Sequence, residues 1–206
     1  MRIITISREF GSGGRELGKR VADLLGCDYY DSEIISAIAQ NSGLDETYVE
    51  TTLDNHGWQY FPISFGGTMH SVNYIDASRI EMLVQQKKVI EQIAALGKDC
   101  VIIGRNADAI LKEYKPFSIF VCADLESKIK RCRARAREDE KLTDRELKRK
   151  MREIDKGRAR TRDFLTGSEW GKCDSYHLTV NTGDWDMKAL AAAVAEFAER
   201  YFESKA

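Results

Sequence analysis

Five short apolar runs, each followed by a stretch of helical periodicity, constrain the fold of this chain more than any single motif. The runs are Ile3–Ser7, the segment around Cys27–Tyr30, Cys100–Gly104, Phe117–Cys122 and Tyr176–Asn181. Continuous apolar runs of this length read as strands covered on both faces. Between them, Arg15–Leu25 puts Leu17, Val21, Leu24 and Leu25 on one helical face, and Ile80–Leu96 repeats Ile80, Leu83, Val84, Ile90, Ile93 and Ala94 at helical spacing. Leu125–Arg137 and Thr143–Leu165 read as charged helices, and Trp185–Tyr201 turns Leu190, Val194 and Phe197 inward. Only Pro62 and Pro116 interrupt the helix-permitting sequence. Such alternation predicts a three-layer α/β/α architecture around a five-stranded parallel sheet.

A length of 206 residues suits one domain. Residues 42–76 break the rhythm with a short helical stretch and then an aromatic, glycine-rich segment without periodicity, too long for an ordinary connection. It reads as an insertion that covers an acceptor. His56, Trp58, Tyr60, Phe61 and Phe65 lie in it, and its aromatics can either stack on a base or pack the insertion itself. Residues 128–162 hold sixteen Lys or Arg and read as a lid. The formal net charge is −1, so bulk charge argues neither for nor against nucleic acid. The partners expected are small molecules, with no nucleic acid and no membrane. The five cysteines are odd in number and have no CxxC pair, which fits a reducing compartment and offers no metal site. The opening "MRIITIS" enters a strand directly and no apolar run reaches membrane-spanning length, so a cytoplasmic location is expected.

The stretch "TISREFGSGGREL" (5–17) follows the first strand and opens the first helix. Glycines there let backbone N–H groups turn inward, and the helix N-terminus adds partial positive charge. Gly11, Ser12, Gly13 and Gly14 meet that need, but the pattern GxxxxGK[ST] is not met. Arg8 stands where the first glycine belongs, Gly14 instead of lysine follows Gly13, and Glu16 replaces the hydroxyl residue that holds magnesium. Arg15 is the nearest cation and can grip phosphate oxygens bidentately. A tight strand-to-helix turn without a ligand is the alternative.

The stretch "ITISREFGSGGRELGKRVADLLGCDYYDSEI" resembles the start of cytidylate kinases, and more closely the cytidylate kinase-like family, with its S-R-E-[FY]-G-S-G-G-R-E. The likeness continues in "VIIGRNADAIL" (101–111), "FVCADLESKIKRCRARARE", "IDKGRARTRDFLTG" (154–167) and "YHLTVNTGDW", in order along the chain. It implies a P-loop nucleoside monophosphate kinase fold and an ATP-dependent phosphotransferase whose default acceptor is CMP-like. Magnesium would arrive with ATP, held by phosphates and by carboxylates such as Glu16 or Glu9.

By that resemblance Gly11, Ser12, Gly13, Gly14, Arg15 and Glu16 bind the donor, and Arg105 holds the acceptor monophosphate. Asp155 and Arg158 read the acceptor's base and phosphate, and Asp31 faces the same nucleotide. Arg15, Arg131, Arg158 and Arg162 are the candidate catalytic cations. Arg131 and Arg135 share one helical face and Arg133 and Arg137 another, so one pair can serve a cleft. Arg160 and Arg162 lie within reach of donor phosphates. Against this stand blander readings: a solvated charged helix, or an i,i+3 salt bridge between Asp155 and Arg158. Asn106 and Glu33 depart from the family's aspartate and glycine. A kinase of another small acceptor, or an inactive nucleotide-binding or sensing protein, therefore stays open.

Overall fold

A computed structural model describes residues 1–51, 53, 58–65, 68–75, 77–136 and 142–205. The chain divides into two compact units, residues 1–31 with 90–206, and residues 32–89.

The first unit is built on an all-parallel sheet of β1 (Ile3–Arg8), β2 (Asp28–Tyr30), β5 (Cys100–Ile103), β6 (Phe117–Cys122) and β7 (Leu178–Asn181), in the order β2-β5-β1-β6-β7. All six residues of β1 are buried, as a central strand covered on both faces requires. Ile4 and Ile6 pack with Val101, Ile103, Ile119 and Val121 beneath α1 (Gly14–Leu25) and α8 (Met187–Glu203). Leu17, Val21 and Ala22 from α1 and Leu190, Val194 and Ala195 from α8 complete that layer. Gly18 lets α1 lie close, since a Cβ there would come within 2.4 Å of Ile103 Cδ1. The helical faces differ in detail from expectation. Leu24 is exposed because Ala22 takes the inward position, and Phe197 sits at the edge, stacked on Phe117 at 5.7 Å with one side in water.

Helices α5 (Ala107–Ile110), α6 (Leu125–Arg135) and α7 (Asp144–Thr166) complete this unit. Asp124 caps α6 through the Ser127 amide, and Thr143 with Glu146 forms a reciprocal capping box on α7. These caps start both charged helices where the sequence changes from apolar or acidic to basic.

The second unit contains α2 (Ser32–Ser42), α3 (Glu46–Thr51), a hairpin of β3 (Trp58–Phe65) and β4 (Thr68–Ile75), and most of α4 (Ala77–Ala95). The hairpin corrects the expectation of a segment without periodic structure: its register runs from Trp58↔Ile75 to Phe65↔Thr68. Two glycines between two runs of β-forming residues are a hairpin signal, and the aromatic composition obscured it. In α4 the buried stripe is Met82, Leu83, Gln86, Val89, Ile90 and Ala94, while Ile80 and Val84 form an exposed ridge. His56, Arg137 and the side chains of Trp58, Tyr60, Phe61 and Phe65 lie outside the described structure. Among the described residues no helix is long and apolar enough to cross a membrane.

Candidate active site

The sheet order makes the carboxyl end of β1 a topological switch point: the chain leaves it toward β2 on one side and later crosses to β6 on the other. Crevices at such points are where open α/β sheets bind ligands. Here β1 runs into Glu9–Gly13 and then α1. Gly13 is left-handed (φ 83) and caps the helix, and Gly11 is left-handed as well (φ 76). The first amides of α1 have no acceptor within their own helix, so they point out of its N-terminus.

The loop's shape is fixed from outside by four separate elements. The Ser12 carbonyl accepts from Thr182 Oγ1 at 2.6 Å and from Arg131 Nη1 at 3.3 Å, while Arg131 Nη2 donates to the Thr182 carbonyl at 2.5 Å. Lys128 Nζ pairs with Glu9 Oε2 at 2.6 Å, and the Ala123 amide donates to the same oxygen. From α7, Asp155 Oδ1 accepts from the Phe10 amide at 2.8 Å and from Arg158 Nη1 at 3.2 Å. Arg158 Nη1 also donates to the Arg8 carbonyl at 3.0 Å. Burial raises the Asp155 carboxyl, opposed by the Phe10 amide and by Arg158.

Beside the loop stands a cluster of arginines around one carboxylate. Asp31 ends β2's connection to α2 and is buried. Its Oδ2 meets Arg15 Nε at 2.6 Å and its Oδ1 meets Arg8 Nη2 at 3.5 Å. Burial, then the like charges of Arg158, Arg15 and Arg105, push the Arg8 guanidinium well below its ordinary value, down to about 9, with Asp31 acting against them. Arg105 follows β5 in a run of three left-handed residues, Gly104 (φ 67), Arg105 (φ 57) and Asn106 (φ 54). Left-handed backbone in consecutive non-glycine residues stores strain, which is typical of ligand sites.

The remaining sequence candidates take distinct places. Glu16 bonds Arg20 at 3.0 Å and Arg135 at 2.6 Å. Glu16 and Glu9, the two carboxylates suggested for magnesium, are thus both engaged by cations. Among the described residues no group of three His, Cys, Asp or Glu stands together as metal ligands. Arg131 and Arg135 both reach the glycine loop and α1, whereas Arg133 turns away to Asp144. Arg162 is buried in an ion pair with Asp108, donates to Ser168 Oγ at 2.9 Å and lies 5.6 Å over the Tyr176 ring. That pair ties α7 to α5, immediately after the strained 104–106 turn. Sequence reasoning passed over Arg8, Lys128 and Thr182. Arg8 was visible as the residue in the first glycine's place, and Thr182 in the final "VNTG" turn; Lys128 was hidden among sixteen basic neighbours.

The cytidylate kinase-like family profile matches residues 3–184. The chain belongs to the cytidylate kinase-like family. No curated protein matches it in sequence. A crystal structure of an uncharacterised protein from Eubacterium ventriosum is similar, at 22% identity over 97% of this chain and 99% of that one, with a TM-score of 0.69. A shikimate kinase from Bacteroides thetaiotaomicron is 15% identical over 96% and 98% of the two chains, with a TM-score of 0.58. A sugar kinase from Janibacter sp. is 12% identical over 97% and 95%, with a TM-score of 0.55. At these identities the likeness is one of fold, the P-loop kinase fold. For this cytidylate kinase-like chain, family and fold together support a nucleotide-dependent phosphotransferase.

Proposed function

We propose that this protein transfers the γ-phosphoryl group of ATP, brought with magnesium, to the phosphate of a nucleoside monophosphate, with a CMP-like acceptor as the first choice. The observation that carries the reading is the cluster of Arg8, Arg15, Arg105 and Arg158 beside a glycine loop held by hydrogen bonds from neighbouring elements. Phosphoryl transfer needs little covalent help from protein; it needs positioning and neutralisation of charge spread over the phosphate oxygens. The loop amides at Gly11 to Glu16 suit the donor's phosphates. Arg105 and Arg158 suit the acceptor phosphate, with Asp155 holding Arg158 in place. Arg131 and Arg135 line the donor side of the loop. Arg162 acts by holding α5 and the Arg105 turn rather than by touching donor oxygens.

In the reaction an acceptor phosphate oxygen attacks the γ-phosphorus, the β–γ bridging bond breaks, and ADP and a nucleoside diphosphate leave. The attacking oxygen is already anionic at neutral pH, so no side chain is required as base. Magnesium would arrive on the triphosphate, and Glu9 and Glu16, now paired with Lys128 and Arg135, are the carboxylates beside the loop that would join its ligands. The test is ADP formation from ATP and magnesium with a panel of nucleoside monophosphates, shikimate and simple sugars. Turnover with a monophosphate supports the reading. Turnover only with a non-nucleotide acceptor sinks the acceptor assignment, and ATP binding without turnover on any acceptor sinks the activity.

A further inference from the structure

The loop lacks the lysine that usually neutralises the transferred phosphoryl group, and Arg15 is the residue nearest to its place in sequence. The geometry separates Arg15 from that task. Its side chain is 53% exposed, and its closest contact is the 2.6 Å pair with Asp31 Oδ2. Arg8 is built differently. Its side chain passes over the start of α1, where a Cβ on Gly14 would come within 2.7 Å of Arg8 Cβ. Its guanidinium then reaches the strained turn, where a Cβ on Gly104 would come within 1.8 Å of Nη1. Arg8 thus spans from the donor loop to the acceptor-side turn that carries Arg105.

This guanidinium is poorly compensated. It is buried, and its ion pair with Asp31 is 3.5 Å long, whereas Arg15 holds the other oxygen of the same carboxylate closely. A buried cation with a long, shared counter-charge is costly, and its retention needs a purpose. The charges of Arg158, Arg15 and Arg105 increase that cost in the ligand-free protein and favour any incoming anion.

We infer that Arg8 replaces the absent lysine: its guanidinium grips the phosphoryl group in flight between donor and acceptor, and Asp31 is the placeholder for that group when no ligand is bound. The inference rests on the phosphotransferase reading and names the cation that reading leaves unassigned. Arginine suits the task because its planar fork meets two equatorial phosphate oxygens at once. On binding, the anion takes the position facing Arg8, and Arg15 draws Asp31 aside.

The experiment compares wild type with Arg8→Met, Arg8→Lys and Arg15→Met. Calorimetry measures affinity for magnesium-ADP and for a magnesium-bound non-hydrolysable ATP analogue, and kcat is measured with the acceptor that the panel assay identifies. Arg8→Met removes a buried charge, so its ligand-free melting temperature is expected to equal or exceed that of wild type, which separates a catalytic loss from misfolding. It should keep wild-type affinity for ADP, lose about tenfold or more of the preference for the triphosphate analogue, and lower kcat about 10²- to 10³-fold. Arg8→Lys should recover part of kcat, and Arg15→Met should lower kcat at least about tenfold less than Arg8→Met does. Wild-type kcat and triphosphate preference in Arg8→Met overturn the inference and leave the kinase reading standing. So does a collapse of kcat confined to Arg15→Met. A wild-type protein that binds neither nucleotide overturns both readings.

Discussion

The guanidinium of Arg8 lies where a side chain on Gly104 would begin: a Cβ there falls 1.8 Å from Arg8 Nη1, at a backbone φ of 67°. Both the space and the left-handed backbone therefore call for glycine. Gly104→Ala is expected to lower stability by about 1–2 kcal/mol through backbone strain alone. It should also displace Arg8 and weaken the rise in melting temperature given by inorganic phosphate. A variant that melts lower but keeps the full phosphate response would show that Arg8 has no part in anion binding.

Asp31→Asn leaves Arg8 and Arg15 without their carboxylate. Breaking a buried pair from one side costs about 3–5 kcal/mol, and the exposure of Arg15 puts the expectation at the lower end. Phosphate or sulfate should recover part of that loss, because an anion of the right size restores the missing charge. Thermal melts with and without each anion, against chloride at equal ionic strength, provide the check.

The depressed Arg8 guanidinium gives a pH signature. Burial brings its native value down to about 9, well below that of the free group, so in the interval between them the unfolded chain binds more protons than the native one. Stability then rises with pH from about 9 upward, and below 9 the cost of the buried charge is constant. The melting-temperature advantage of Arg8→Met over wild type should be flat from pH 6 to about 9 and narrow above it. An advantage that grows above pH 9 would refute the assignment.

Arg162 and Asp108 form a buried pair, so losing either partner should cost about 3–5 kcal/mol. Replacing both, as in Asp108→Leu with Arg162→Met, should recover most of it, since the two residues are coupled. A single Arg162→Met that melts like wild type would return Arg162 to the donor-binding set.

Removing the Thr182 hydroxyl with Thr182→Val deletes the bond to the Ser12 carbonyl. The expected cost is about 1–2 kcal/mol, with weaker binding of the ATP analogue. Equal affinity in the variant would show that the Thr182 hydroxyl is not needed to shape the loop for its ligand.

The sheet was legible because its five strands are continuous apolar runs separated by helical periodicity, a signal that survives in single sequences. The pairing of residues 58–65 with 68–75 was less legible, since the two runs are rich in aromatics and carry no clean alternation. Gly13, Asp31 and Arg105 were readable from their positions after strands. What the sequence does not display is which charge faces which. Arg15 and Asp31 are named by the same resemblance as donor-side and acceptor-side residues, yet they meet at 2.6 Å. Arg162 occurs in a run of alternating arginines, and only its placement opposite Asp108 distinguishes it from its neighbours. Such pairings arise from tertiary packing across 16 to 54 residues and leave no periodic trace.

The grip of Thr182 on Ser12 joins residues 170 positions apart. Every glycine of the loop is in place by residue 14, but the hydroxyl that fixes the loop's carbonyl belongs to the turn after the last strand. During synthesis the glycine loop would therefore remain unfinished until that strand has left the ribosome. A fragment ending before β7 would carry the whole signature and lack the fastener that shapes it. In this protein the loop after β1 is completed by the turn after β7.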